Sequence, residues 1–491
     1  MTSPAVPATR RPGAMLAVAC VPAFMTGLDA LVVTIALPAV RRDLHASVAQ
    51  LGWMVNAYVL AFGVLILAGA ALGDRLGRRR MFVAGLALFT AASAACATAP
   101  SPALVIAARC AQGAGAALIS PLSLALACAA FPPGQRGKAI GMWGAVTGSA
   151  VAFGPIAGGA IVQGLSWHWV FWCNVPIGTA AIAAAPMVLP EGRGRDRRID
   201  LAGLALASGG LLALVWAIST GNTSGWASPR ILAALGAGAV LLGGFGIRQR
   251  RARSPLVPRH LFASRVFVSA NAATFLLAAA LFAAAFLLPA YLQAALGYSP
   301  LETGLLLLPW TAVTMVITPA AGALADRIGT RPLMVTGLAL QAAAFAWIAA
   351  IAGPAMRYGS LLPALLTAGT GISLVFGTAA NAAVGAVPPA DLAIASAACA
   401  SFRQLGAPFG VAIASAVFAR AGGFTSPQAM TGGLAAALSA AAVISVLGAV
   451  TALGAGTRQP HIPAMAAAAP LRARRPAPPA PGHAPVSPVT S

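Results

Sequence analysis

The sequence predicts an all-α integral membrane protein in which two six-helix bundles flank an inserted two-helix hairpin, fourteen transmembrane helices in total. Three observations predict it: the scarcity of charge, the recurrence of long apolar runs, and an internal repeat. Hydrophobic residues make up 59% of the 491 residues and charged residues only 8%, too few charges to cover a water-soluble protein of this length. The bilayer is therefore the expected solvent.

Apolar runs long enough to cross about 30 Å of hydrocarbon at about 1.5 Å per residue fall at 14–38, 51–72, 81–99, 103–130, 138–163, 169–189, 201–219, 229–247, 266–294, 303–323, 332–351, 358–386, 392–419 and 431–454. The first follows Arg10 and Arg11, as a signal peptide would, but it is too long for an h-region and leads straight into another apolar hairpin. It reads as helix one. The organisation expected is a cytoplasmic N-terminus (1–13), an N-terminal bundle (14–190), the inserted hairpin (199–247), a basic cytoplasmic loop (248–265), a C-terminal bundle (266–454) and a tail (455–491). The tail is rich in Ala, Pro and Arg and is expected to be disordered and cytoplasmic.

The net charge of +22 would suggest a nucleic-acid partner in a soluble protein, but its distribution follows topology. With a cytoplasmic N-terminus, 24 of the 31 Lys and Arg residues fall on inside segments. Outside segments hold only Arg41, Arg42, Arg230, Arg357 and Arg420, and Arg109 and Arg403 lie within spans. This is the positive-inside pattern of a multi-pass plasma-membrane protein with both termini in the cytoplasm, and no nucleic-acid partner is expected.

The third observation is the repeat. Gly73-Asp74-Arg75-Leu76-Gly77-Arg78-Arg79-Arg80 and Ala325-Asp326-Arg327-Ile328-Gly329-Thr330-Arg331-Pro332 place their aspartates 252 positions apart, and Pro155 and Pro408 lie 253 apart. Nearly one offset aligns both pairs, so the two six-span halves repeat in register. The surplus between them is the hairpin. Parallel repeats of this kind are typical of transporters whose substrate site lies between the halves.

At this point the residues resemble a known family. Leu28-Asp29 followed by Ala36-Leu37-Pro38, the loop Leu72 through Arg79, Arg109-Cys110-Ala111-Gln112-Gly113-Ala114-Gly115, Gly154-Pro155-Ile156-Ala157-Gly158-Gly159, and Trp167-His168-Trp169-Val170-Phe171-Trp172-Cys173-Asn174-Val175-Pro176 occur in order. Together they look like the fourteen-helix drug:proton antiporter branch of the major facilitator superfamily, over about residues 14–454. There are departures: Thr34 stands where asparagine is usual, Ala70 replaces a leading glycine, and His168 stands where arginine is commoner. The resemblance implies a proton-coupled exporter of small amphipathic compounds such as drugs or antibiotics, acting by alternating access as a monomer. It also implies that the Gly154–Gly159 element limits leak and favours export. A metabolite transporter of the same superfamily is the first alternative, and a non-transporting membrane receptor is the alternative from another class.

The motifs also have a physical reading. Gly73, Asp74, Arg75, Gly77 and Arg78, with Asp326 and Arg327 in the second copy, are expected to form charged turns that latch one conformation; Arg78 to Arg80 also set topology. Gly154, Gly158 and Gly159 give a helix face with almost no side chain, and Pro155 removes a backbone hydrogen bond, so this helix is expected to bend and pack tightly on a moving partner.

Among the nine acids only Asp29 falls within a span. A charge there is costly and needs a partner or a water-filled cavity. Arg109 falls at a similar depth, and by the repeat offset Asp29 maps near Leu281 and Phe282, and Arg109 near Leu361 and Leu362, so neither charge is repeated. Asp29 is expected to carry the transported proton and Arg109 to modulate it, since burial favours the neutral carboxyl and a nearby arginine the ionised one. The competing readings are a structural ion pair for Asp29 and snorkelling to the outer headgroups for Arg109. Gln112 and Arg403 are expected to line a cavity, the role of Arg403 being open between substrate binding and bracing.

Other functions are poorly supported. The only lysine, Lys138, is followed by Ala139, so no P-loop is present, and no Ser/His/Asp constellation falls inside the spans. The six cysteines and five histidines lack metal-ligand spacing, so neither a cofactor nor a metal is expected. With one deep acid, neutral or monocationic substrates fit better than multivalent cations. Thirty arginines to one lysine suggest a GC-rich bacterial genome.

Overall fold

A computed structural model of the chain describes residues 12–131, 136–193, 200–252, 259–387 and 392–455. The expected N-terminal segment up to 11, the tail from 456 and the loop residues 253–258 lie outside the described residues, as does the side chain of Asp326. Among the described residues the chain is helical: α1 (Pro12–Leu44), α2 (Val48–Leu76), α3 (Arg78–Ala97), α4 (Pro102–Ala129), α5 (Arg136–Gly164), the single turn α6 (Trp169–Trp172), α7 (Asn174–Val188), α8 (Leu201–Ser224), α9 (Pro229–Arg251), α10 (Arg265–Ala294), α11 (Pro300–Ile328), α12 (Thr330–Ile351), α13 (Tyr358–Gly385), α14 (Leu392–Ala421) and α15 (Pro427–Ala452), with a 3-10 turn at Arg259–Ala263.

The sequence punctuates these helices explicitly. Four begin at a Ser-Pro pair, Ser101-Pro102, Ser228-Pro229, Ser299-Pro300 and Ser426-Pro427, where the serine hydroxyl accepts an orphan N–H of the first turn. Proline costs nothing at that position, because its missing N–H would have no intrahelical partner. The turns ending α2 and α11 pass through Gly77 (φ 112°) and Gly329 (φ 86°), backbone angles a side chain resists. Their amides close back on the Gly73 and Ala325 carbonyls, so the two charged turns are built alike.

Thirteen of the helices are long and apolar enough to cross a membrane by length and composition. The expected span at 138–163 lies on α5, a 29-residue helix some of whose side chains are outside the described set, and it is not among the thirteen. Helix α9 runs on to Arg251, beyond the expected span end at 247. Arg248, Arg250 and Arg251 thus stand in its last turn, where the helix dipole favours positive charge.

Packing repeats between the halves. In the first, α2 and α3 pack on α4 and α1 on α5; in the second, α11 and α12 pack on α13 and α10 on α14. Gly85 of α3 meets Gly115 of α4, and Gly337 of α12 meets Gly371 of α13; Gly113 meets the Tyr58 backbone and Gly369 the Trp310 backbone. The α2–α3 and α11–α12 members of these pairs are 252 apart but the α4 and α13 members are 256 apart. Helix α12 and the loop after it are together longer than their counterparts in the first half. The counterpart of Arg109 is therefore Leu365 and not Leu361 or Leu362, and the position remains uncharged in the second half.

The halves approach closely toward the end that carries the α1–α2 and α10–α11 loops. Helix α5 meets α11 and α2 meets α14. A methyl group at Gly159 would stand 2.8 Å from the Leu301 Cα, and one at Gly52 2.9 Å from the Ser415 Oγ. Gln293 donates to the Ile35 carbonyl at 3.0 Å, and the Leu301 amide donates to Gln163 at 3.1 Å. The inserted hairpin is peripheral: α8 packs on α9 and lies against α14 and α2. Its base is tied by Asp200, which caps α8 and accepts from Arg248 of α9 at 2.7 Å.

Candidate functional site

Asp29 sits near the middle of α1, and Arg109 and Gln112 are one helical turn apart on α4, so both reach it from the same face. Arg109 Nη1 donates to Asp29 Oδ2 and, at 2.6 Å, to Gln112 Oε1, while its Nε donates to the Met54 carbonyl at 3.0 Å. The other carboxylate oxygen accepts from Gln112 Nε2 and from Asn174 Nδ2 of α7, each at 3.0 Å. Behind them Ser93 Oγ of α3 accepts from the same two amides at 2.8 and 3.4 Å. Helices α4 and α7 thus bond the carboxylate directly, and α2 and α3 hold the groups that do so.

The network is dry and mostly satisfied. Asp29 is 2% exposed and Arg109 and Gln112 not at all. The Arg109 guanidinium stacks 4.1 Å from the centre of the Tyr58 ring, whose hydroxyl donates to the Thr26 carbonyl at 2.8 Å. Only Arg109 Nη2 has no hydrogen-bond partner among the described residues. Removing one member of such a buried pair costs about 3–5 kcal/mol, because the other charge is stranded. Arg109 therefore does not snorkel to the headgroups. Gln112, expected to line a cavity, is instead enclosed in the network. A cavity of about 60 Å³ between α1, α5 and α7 reaches Asp29 and Asn174, and is otherwise walled by apolar groups such as Met25, Val32 and Ile177. It has room for more than one water molecule.

The antiporter-like helix connects this site to the second half. Gly154 packs on Leu31 and Gly158 on Val32, two and three residues beyond Asp29 on α1, while Gly159 turns to Leu301 of α11. Pro155 lies within α5 and its backbone meets Gly304 of α11. In the charged turn, Asp74 pairs with Arg78 at 2.8 Å. The turn is held to the segment after α7: the Arg79 amide donates to Glu191 at 3.1 Å, the Arg78 amide to the Gly192 carbonyl at 2.8 Å, and Arg79 Nη1 to the Leu189 carbonyl at 3.1 Å. Arg75 and Arg327 are exposed. Arg403 stands apart on α14, 5.4 Å from the Phe376 ring centre.

Residues 19–411 match the family model of the Major Facilitator Superfamily. The chain belongs to this superfamily. Among curated relatives of this facilitator, the tetracenomycin C resistance and export protein of Streptomyces glaucescens is 35% identical over 85% of the chain and 78% of its own length. The puromycin resistance protein of Streptomyces alboniger is 37% identical over 79% and 78%, respectively. The fold is shared with a solved bacterial homologue of the lysosomal transporter Spinster in an inward-facing state (TM-score 0.65, 14% identity, 90% and 96% of the two chains) and with a D-xylose-proton symporter (TM-score 0.63, 16% identity, 89% and 96%). The chain is thus a transporter and not an enzyme.

Sequence reasoning assigned no role to Asn174, Ser93 or Glu191 of this facilitator. Asn174 had a signal: it is a polar residue inside an apolar span and part of the Trp167–Pro176 stretch. Ser93 had none, since a serine in a transmembrane helix commonly bonds its own backbone.

Proposed function

We propose that the chain exports small amphipathic organic compounds in exchange for protons by alternating access, and that Asp29 carries the coupled proton. The observation that carries this reading is the Asp29–Arg109 pair, which is buried, held on all sides and built in one half alone. With the termini in the cytoplasm, the end where the α1–α2 and α10–α11 loops bring the halves together faces outward.

Protonation of Asp29 removes the charge that Arg109 faces and weakens the bonds from Gln112 and Asn174. The guanidinium then keeps Met54, Gln112 and the Tyr58 and Phe171 rings. Helix α1 is freed to shift against α4, and Leu31 and Val32 carry that shift to Gly154 and Gly158 of α5. The same helix presents Gly159 to α11, about one and a half turns beyond Gly154, so one helix links the proton site to the closed end. Loss of the proton restores the pair. Asp74 and Arg78 act as a latch on the cytoplasmic side, and one chain contains all of these parts, so it works as a monomer in a bacterial plasma membrane. Export itself is tested by the accumulation of a compound panel in cells with and without the protein, each with and without a protonophore. Equal accumulation in all four conditions contradicts it.

A further inference from the structure

Arg403 lies eleven residues into α14 from Leu392, about 16 Å along the helix, and Phe376 nine residues from the end of α13, about 14 Å. The two therefore meet at one depth inside the membrane, with the guanidinium over the ring at 5.4 Å. No hydrogen bond or ion pair reaches Arg403 among the described residues. An intramembrane arginine normally has a carboxylate or backbone partner, and none is seen among the described residues. The six acids whose side chains are described are already engaged: Asp29 with Arg109, Asp43 with Trp167, Asp74 with Arg78, Glu191 with Arg79, Asp200 with Arg248 and Glu302 with Ser299.

The neighbouring faces of α14 fix where Arg403 is directed. Gln404 packs against Gly63 of α2, and the Ala416 carbonyl accepts from Asn222 of the peripheral hairpin. Arg403 lies on neither face; it stands on the side of α13 and α10, where Cys399 one turn earlier touches Thr274. Its exposure there is intermediate. A positive charge, an aromatic face beside it and no counter-charge among the described residues suit an anionic group attached to an apolar or aromatic body.

We propose that Arg403 and Phe376 form a subsite for the ionised acidic group of the substrate, so that the exported compounds are organic anions. This rests on the transport reading above, and it displaces the expectation of neutral or monocationic substrates: Asp29 is occupied by Arg109 and offers no free carboxylate to a cation, whereas Arg403 offers a free cation to an anion.

The test is equilibrium binding of 1-pyrenebutyrate and of its uncharged amide to the full chain in phosphatidylcholine nanodiscs, followed by pyrene fluorescence. Wild type is expected to bind the acid at least about tenfold more tightly than the amide. Arg403→Gln is expected to abolish that preference while leaving amide binding unchanged, Arg403→Lys to retain part of it, and Phe376→Leu to weaken both compounds. An equal affinity of wild type for acid and amide, binding of neither, or a preference that survives Arg403→Gln overturns the proposal. Displacement of the acid by inorganic phosphate at equal concentration also overturns it, by showing a general anion or headgroup site. Proton-driven efflux is measured on the same preparation: its absence with acid binding intact contradicts the antiport reading and leaves this one standing.

Discussion

Arg109 of α4 bonds Asp29 of α1 directly, and neither group meets water: the guanidinium is wholly buried, and its Nη1 bridges the Asp29 carboxylate and the Gln112 carbonyl oxygen. Each group is the other's only compensating charge. The behaviour of the pair on losing one member is therefore calculable in sign.

Arg109→Ala leaves Asp29 buried beside two amide donors but without a cation. The carboxylate then has no compensating charge, and the pH profile of efflux should differ from that of wild type. Stability should fall by about 3–5 kcal/mol if the carboxylate stays charged, and by less to the extent that it takes up a proton. Arg109→Lys keeps the charge but loses the bond to Met54 and the planar stack on Tyr58, so its profile should fall between the two. Efflux from proteoliposomes across a pH series, with thermal stability measured on the same protein, checks both.

Asn174→Ala removes one of the two amide bonds to Asp29 Oδ1 without touching Arg109. A hydrogen bond to a charged group contributes about 1.5–3 kcal/mol, so transport should shift its pH dependence in the same direction as Arg109→Ala but by less. An unchanged profile at wild-type expression would show that Asn174 only packs.

Gly159 and Gly164 lie on the same helix, five residues apart, and differ in what surrounds them. A methyl at Gly159 meets the backbone of Pro300 and Leu301, while one at Gly164 meets nothing within 4 Å. Gly159→Ala should therefore hold the halves apart at this end and lower transport at least about tenfold, a displaced equilibrium of roughly 1.4 kcal/mol, whereas Gly164→Ala should behave as wild type. Spectroscopic distances between labels on α5 and α11 report the separation directly.

Asp74→Asn breaks the pair with Arg78, both about one-third exposed. An exposed pair contributes little stability, about 0–1 kcal/mol, so the folded protein should persist and substrate binding remain near wild type while turnover slows. Loss of binding in a well-folded variant would place Asp74 in the binding site and not in a latch.

Much of this was legible in the sequence because membrane physics writes it there. Spans were visible as apolar runs and the two-half repeat as Asp74 and Asp326 at one offset. Asp29 stood out because a single acid in a span has no scaffold purpose. The rest depends on which helix faces which. That Gln112 closes on Asp29 instead of lining a cavity, and that Asn174 joins it from α7, follows from packing of α4 and α7 on α1 and leaves no periodicity in the chain. The Arg109 counterpart was misplaced by three to four residues because the extra length between α12 and α13 lies in an apolar segment and an irregular loop, where no motif marks it. Glu191 was passed over as a loop acid, since its partner Arg79 lies 112 positions away.

The most direct test of the account is proton-driven efflux by Asp29→Asn in proteoliposomes with an imposed pH gradient, at matched protein levels. An amide keeps the size of the carboxylate and most of its hydrogen bonds but does not exchange a proton near neutral pH. The account predicts a folded, inserted protein whose efflux no longer responds to the gradient. Wild-type gradient-driven efflux by Asp29→Asn would contradict it.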